Sequence, residues 1–173
     1  DDELYLELHR GTLTQMHDIK RKNRKAEFAM RDMEYFHVLS GRSVTEEQDK
    51  RLKTLLKNQF HDILPGTCIT PVYDVYNDEM DKVIAGYKKD MLDDIASIST
   101  PSEKYTLFNT LSFERSDVFV IENAEGYAKD YPSQRYVDVT GRDMLAVGGM
   151  QVGQQRLRLR CGIRVTRNAV GLG

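Results

Sequence analysis

The sequence has 173 residues, 40% of them hydrophobic and 30% charged, with a formal net charge of -2. It is too polar to cross a membrane as a helix, because no apolar run approaches the roughly 20 residues a span needs, and too apolar to be a disordered chain. Two cysteines, Cys68 and Cys161, exclude a disulfide scaffold and favour reduced thiols in a cytosolic setting.

The first residues carry acids where a secretory signal would carry Lys or Arg, and no apolar core of useful length follows them. From about Leu13 to Leu39 the apolar or small positions fall at Met16, Ile19, Asn23, Ala26, Met30, Met33 and His37. This alternation of three and four predicts a helix with a heptad-like seam, two of whose positions are polar. Thr12 or Thr14 is the expected N-cap, and Ser40 with Gly41 the stop.

A second helix is expected to open on the capping-box pattern Thr45 to Gln48. Its stripe is Leu52, Leu55, Leu56, Gln59, Phe60 and Ile63, and Pro65–Gly66 should end it. The third is expected from Thr70 as N-cap, with Pro71 at the first helical position, where a missing N–H is harmless. Its seam includes Val72, Val75, Tyr76, Glu79, Val83, Tyr87, Met91, Asp94 or Ile95, and Ile98. Three helices of about 20 to 29 residues with short connections suggest an antiparallel bundle over residues 1–100.

The polar, proline-containing stretch Ile98–Ser102 reads as a linker. Beyond it, Tyr105–Phe113, Asp117–Glu122 and Arg135–Val139 read as strands, with turns at Asp130–Ser133 and Thr140–Arg142 and a further turn at Gly148–Gly149. Arginine alternates with apolar residues from Arg156 to Thr166, a strand with one cationic face. Residues 154–173 hold five arginines and no acid, so this tail carries +5. The fold class expected is α+β: a three-helix bundle, then a partial antiparallel β-sandwich over 103–173.

The histidines are His9, His17, His37 and His61. None forms a His-x-His or His-x-x-x-His pair, so spacing alone completes no zinc site. There is no Gly-x-Ser-x-Gly elbow and no phosphate loop. His61–Asp62 falls at the expected C-terminal turn of the second helix. Adjacent helical side chains point about 100° apart, so the pair should not form a simple ion pair on one face, yet at a helix end both can project into a cleft. The ordinary reading is a cap of terminal carbonyls beside a solvated acid; the sharper reading is a metal ligand beside a ligand-binding carboxylate. His9–Arg10 beside Gly11 is an exposed helix entry or a place for a ligand to approach the backbone. Lys20–Lys25 holds five cations in six residues. Without an interleaved aromatic it reads as a solvated face before a phosphate-binding one.

Three ordered stretches carry a resemblance. Leu4–Thr12 (LYLELHRGT) with Lys20–Glu27 (KRKNRKAE), Leu55–Thr67 (LLKNQFHDILPGT) and Leu107–Arg115 (LFNTLSFER) resemble, respectively, the start of the central helical domain, the His-Asp signature, and the opening of the following β-domain of glycoside hydrolase family 38 α-mannosidases, bacterial type. The resemblance spans about residues 3 to 150. It implies a fragment of a retaining exo-α-mannosidase that hydrolyses terminal α-mannosyl residues of glycans. It also implies a divalent metal, usually zinc, held by two aspartates and a histidine of an N-terminal catalytic domain and by the histidine of the signature, here His61. Asp62 then binds sugar hydroxyls, and His9 and Arg10 are further substrate-binding candidates. The nucleophile and acid/base belong to that N-terminal domain, so no catalytic residue is expected in this chain. The isolated chain is expected to bind no catalytic zinc and to be inactive. Its partners are then the catalytic domain, the rest of the β-domain and a mannose-containing glycan, with no nucleic acid and no membrane, and with association through exposed strand edges. The tail from Gln154 departs from the family pattern. Two other readings are a stand-alone binding module and a nucleic-acid binder using Lys20–Lys25 and the arginine tail.

Overall fold

The computed structural model describes residues 11–99, 106–113, 115–122, 132–152 and 157–158. They fall in two compact units that meet in sequence between Thr100 and Pro101. The class is α+β, with three helices in the first unit and antiparallel strands in the second.

Helix α1 spans His17–Ser40, α2 Glu46–Lys57 and α3 Thr70–Ile98. Contacts along them set their directions. The Tyr76 hydroxyl donates to the Ile19 carbonyl at 2.8 Å, and His37 meets Asp94 at 2.9 Å, so α1 and α3 run the same way. Gln48 meets Asp90 and Asn58 meets Glu79, so α2 runs against both. The seam of α1 is buried at Ile19, Asn23, Ala26, Met33 and His37, while Met16 is exposed. Against it α3 buries Tyr73, Tyr76, Met80, Val83, Tyr87, Met91 and Asp94. Each large apolar side chain so buried contributes about 1.5–3 kcal/mol. Burial pushes the phenols of Tyr76 and Tyr87 up to about 12.

Several boundaries differ from the sequence expectation. No side chain caps α1: its N-cap is Met16 in the left-handed region, and Thr14 instead donates to the Gly11 carbonyl within a turn. The N-cap of α3 is Ile69, one residue before Thr70. The largest change is in α2, which has 12 residues and ends at Lys57. Its start is the expected capping box: the Gln48 amide donates to Thr45 Oγ1 and the Thr45 amide to Gln48 Oε1. Its end is set by Asn58, whose buried side chain donates to the Thr54 carbonyl at 3.0 Å and to Glu79 of α3 at 2.8 Å. A tertiary contact therefore stops the helix before Pro65 does.

In the second unit β1 is Thr106–Leu107, β2 Arg115–Glu122, β3 Ser133–Val137, β4 Asp143–Val152 and β5 Leu157–Arg158. The sheet order is β2-β4-β3, all antiparallel, and β1 pairs with β5. Its buried residues include Ile121, Leu145 and Val147. Gly148 and Gly149 lie inside β4, not in a turn. Asp117 pairs with Met150 and Phe119 with Val147, so both glycines oppose Val118 in a β-bulge. The β3–β4 turn is organised by Asp138, whose carboxylate accepts from the amides of Arg142 and Thr140 and from both their side chains. Those donors, the Arg142 amide first, hold its carboxyl far below the usual carboxylate range. Asn109 is buried, donating to the Phe113 carbonyl at 2.6 Å and accepting from the Leu111 amide at 3.1 Å. The asparagine of the Leu107–Arg115 stretch thus folds its own turn. Beyond Arg158 the arginine run, with Cys161, lies outside the described residues.

Candidate functional site

The His61–Asp62 pair sits in the connection between α2 and α3, on turns rather than on a helix. After Asn58 the backbone continues in short-range bonds: the Phe60 amide donates to the Lys57 carbonyl, the Ile63 and Leu64 amides to that of Phe60, and the Gly66 amide to that of Ile63. Pro65 has no N–H to extend this coil, and Gly66 turns it with φ 92°. The Thr67 amide and hydroxyl both donate to the Asp62 carbonyl at 3.2 Å, which closes the loop on itself. The Cys68 amide donates to the Tyr73 hydroxyl at 2.7 Å and fixes its exit into α3.

The two side chains do meet: His61 Nε2 lies 3.4 Å from Asp62 Oδ2. The expectation that they could form no local pair fails because an offset of about 100° does not keep long side chains apart: within α1 itself the neighbours Arg31 and Asp32 pair at 2.8 Å. Both are exposed, at 75% and 56% of the side chain, and the imidazole leans on the Phe60 ring with centroids 4.1 Å apart. The pair therefore presents one nitrogen base and one carboxylate, side by side, to the outside. A second adjacent pair, His17 and Asp18, stands 3.3 Å apart at the start of α1, but Arg21 already holds the Asp18 carboxylate at 2.6 Å. Asp62 has a weaker claim on it, the Thr67 hydroxyl at 3.4 Å.

Three contacts fasten this loop to α1. Gln59 Nε2 donates to Asn23 Oδ1 at 3.1 Å and to Glu27 Oε1 at 2.9 Å. Lys20 Nζ donates to the Pro65 carbonyl at 3.2 Å. A Cβ on Gly66 would stand 3.0 Å from Met16 Cβ, so the two backbones are in close contact. His9 and Arg10 lie outside the described residues.

Sequence reasoning missed a polar cluster at the far end of the bundle. His37 Nδ1 meets the fully buried Asp94 carboxylate at 2.9 Å, and Nε2 meets the Ser43 carbonyl at 3.0 Å. Ser40 donates to Asp94 at 3.0 Å, and Arg42 stands 3.2 Å from it. The signal was available: His37 and Asp94 are polar residues on two apolar seams. Among the described residues, no group of three or more His, Cys, Asp or Glu side chains could hold a metal ion. None of the described helices is long and apolar enough to cross a membrane.

The family model described as the alpha mannosidase middle domain matches residues 7–98. The chain belongs to this family. The match covers the whole described bundle and the His61–Asp62 loop. The chain is similar to alpha-mannosidase of Saccharomyces cerevisiae, 36% identical over 78 residues, or 41% of this chain and 7% of the relative. It is 40% identical to human alpha-mannosidase 2C1 over 76 residues, 40% of this chain and 7% of that protein. The mouse alpha-mannosidase 2C1 matches at 32% over 130 residues, 69% of this chain and 12% of that one. The chain thus spans about a tenth of the length of these curated relatives. In fold it resembles a solved protein of glycosyl hydrolase family 38 from Enterococcus faecalis, with a TM-score of 0.57 at 15% identity over 84% of this chain and 24% of the other.

Proposed function

We propose that this chain is the middle domain and the start of the β-domain of a metal-dependent retaining exo-α-mannosidase, and that the His61–Asp62 loop is its contribution to the sugar site. The observation that carries the reading is that pair: an exposed imidazole and carboxylate 3.4 Å apart, on a loop fastened to α1, within the stretch that matches the middle-domain family. Membership in that family and the likeness to curated α-mannosidases support the reaction class.

The donor set suits a divalent ion such as zinc. Unlike His37, whose two nitrogens are both engaged inside the bundle, His61 is exposed and its donor can turn outward. A neutral imidazole completes a mixed nitrogen–oxygen site whose other ligands come from the catalytic domain. The bound metal would orient the sugar hydroxyls and favour ring distortion toward an oxocarbenium-like transition state. Asp62 accepts hydrogen bonds from those hydroxyls. His9 and Arg10 are further contacts to sugar. We place the whole protein in the cytoplasm, where a chain with two cysteines keeps them as thiols.

One ligand does not hold zinc, so this chain alone is expected to bind no catalytic zinc and turn over no mannoside; zinc-dependent hydrolysis of an aryl α-mannoside by it would overturn the division of labour. In the whole enzyme, His61→Ala should lower metal affinity and activity by more than the ~10–100-fold that follows loss of a residue merely supporting a ligand. Unchanged zinc occupancy in that variant refutes the ligand role.

A further inference from the structure

We propose that Lys20 is a positioning residue for the His61–Asp62 loop, acting as the pin of a clamp between two backbone turns. This rests on the reading of that loop as part of the sugar site, and adds to it how the loop is held. Lys20 Nζ donates to the Gln15 carbonyl at 2.6 Å and to the Pro65 carbonyl at 3.2 Å, the latter 45 residues away in sequence. A lysine on an exposed helix face ordinarily leaves its ammonium in water. Here the ammonium joins two segments.

Both carbonyls belong to turns of unusual backbone. Gln15 precedes Met16, which has φ 50° and is the non-glycine residue with positive φ among those described. Pro65 precedes Gly66, with φ 92°. The turns touch: a Cβ at Gly66 would meet Met16 Cβ at 3.0 Å, Met16 Cγ at 3.1 Å and the Gln15 carbonyl at 3.4 Å. A left-handed methionine is disfavoured by its own Cβ and persists where the surroundings hold it. The lysine on one side and the glycine contact on the other are those surroundings. Gln59 anchors the start of the same loop to Asn23 and Glu27, so the segment that presents His61 is fixed to α1 at both ends. The run Lys20–Lys25 thereby divides: Lys20 works inward on the loop, while Arg21 and Arg24 pair along their own helix.

The test uses the whole protein that carries this chain, with Lys20→Met, Lys20→Arg and His61→Ala beside the parent. Amide hydrogen exchange over residues 61–67 is measured together with zinc affinity and kcat/KM on an aryl α-mannoside. Lys20→Met should raise exchange in the loop by about tenfold or more while α3 keeps its protection, and weaken zinc affinity and kcat/KM by about 10–100-fold. Lys20→Arg, which keeps a cationic donor, should restore most of both. Loop exchange within twofold of the parent in Lys20→Met overturns the proposal. So does raised exchange spread evenly over α2 and α3, which marks general destabilisation. Raised loop exchange with zinc affinity and turnover unchanged, in a protein that His61→Ala inactivates, also overturns it. If His61→Ala itself keeps zinc and turnover, the reading of the site falls, and the loop exchange of Lys20→Met still decides the clamp.

Discussion

His37 shows how one residue ties the bundle to pH. Its two ring nitrogens face acceptors only: the Ser43 carbonyl at 3.0 Å and the Asp94 carboxylate at 2.9 Å. Only the imidazolium can donate to both. The Ser43 carbonyl and then the Asp94 carboxylate raise its pKa above the ordinary 6.5, against the opposing effects of burial and of Arg42. A base whose folded pKa is raised stabilises the fold fully below its unfolded pKa. That contribution is lost as pH climbs through the folded value. Urea midpoints measured from about pH 6 to about pH 9 should therefore fall, and the fall should flatten in His37→Gln. A midpoint that rises over this window would contradict the assignment. His37→Ala should cost about 3 kcal/mol near pH 6, since it leaves a buried carboxylate with fewer partners. Ser40 and Arg42 remain to Asp94 and keep the loss from growing larger.

At the scale of elements, α2 and α3 are joined through a glycine. Gly86 lies inside α3, where alanine would ordinarily gain about 1 kcal/mol of helix propensity. A Cβ there would stand 2.5 Å from Arg51 Nε, and Arg51 is held by Glu47 at 2.6 Å and by Asp90. Gly86→Ala must push that guanidinium off its partners, so a net loss of about 1 kcal/mol in urea denaturation is expected. In an Arg51→Ala background the same substitution should become stabilising by up to about 1 kcal/mol, and a double-mutant cycle reads the coupling directly. The seam of α1 was legible in the sequence because period and burial agree: Ile19, Asn23, Ala26 and Met33 line it as their spacing requires. On α3 the expected seam starts out of register: Val75 is exposed, while Tyr73 and Met80 are buried beside Tyr76. The end of α2 was not legible. Phe60 and Ile63 continue its helical spacing, and the turn bonds of the loop mimic a coil, whereas the stop comes from Asn58 reaching Glu79 on another helix. The centre of the sheet was hidden for the opposite reason. Gly148 and Gly149 look like a turn, yet they form the bulge opposite Val118 in the strand that joins β2 to β3. For the proposed site, the motif singled out His61 and Asp62, but the Lys20 bond to the Pro65 carbonyl could not be seen, because a long-range bond to a carbonyl leaves no mark on residue type.

At the scale of the whole molecule, charge decides between a sugar-site component and a nucleic-acid binder. Four of the five cations in Lys20–Lys25 already have partners. Lys20 holds two carbonyls, Arg21 pairs with Asp18 at 2.6 Å, Lys22 with Asp81 at 2.9 Å and Arg24 with Glu27 at 2.7 Å. Binding a duplex releases counterions in proportion to the phosphates neutralised, and its affinity falls steeply with salt. Cations that must first leave a carboxylate contribute little to that term, and the chain as a whole carries -2. The +5 tail, residues 154–173, lies mostly outside the described residues and is the remaining concentration of positive charge. Near-physiological salt should therefore give no duplex binding tighter than the non-specific range of about 10⁻⁴ to 10⁻⁶ M. Any binding that appears at low salt should vanish when residues 154–173 are removed and persist when Lys22, Arg24 and Lys25 are changed to Gln. A titration with a fluorescent duplex at two salt concentrations measures both. Tight, salt-resistant binding that the helix substitutions abolish would make α1 a nucleic-acid surface and remove the reason for assigning its cations to the bundle and its loop.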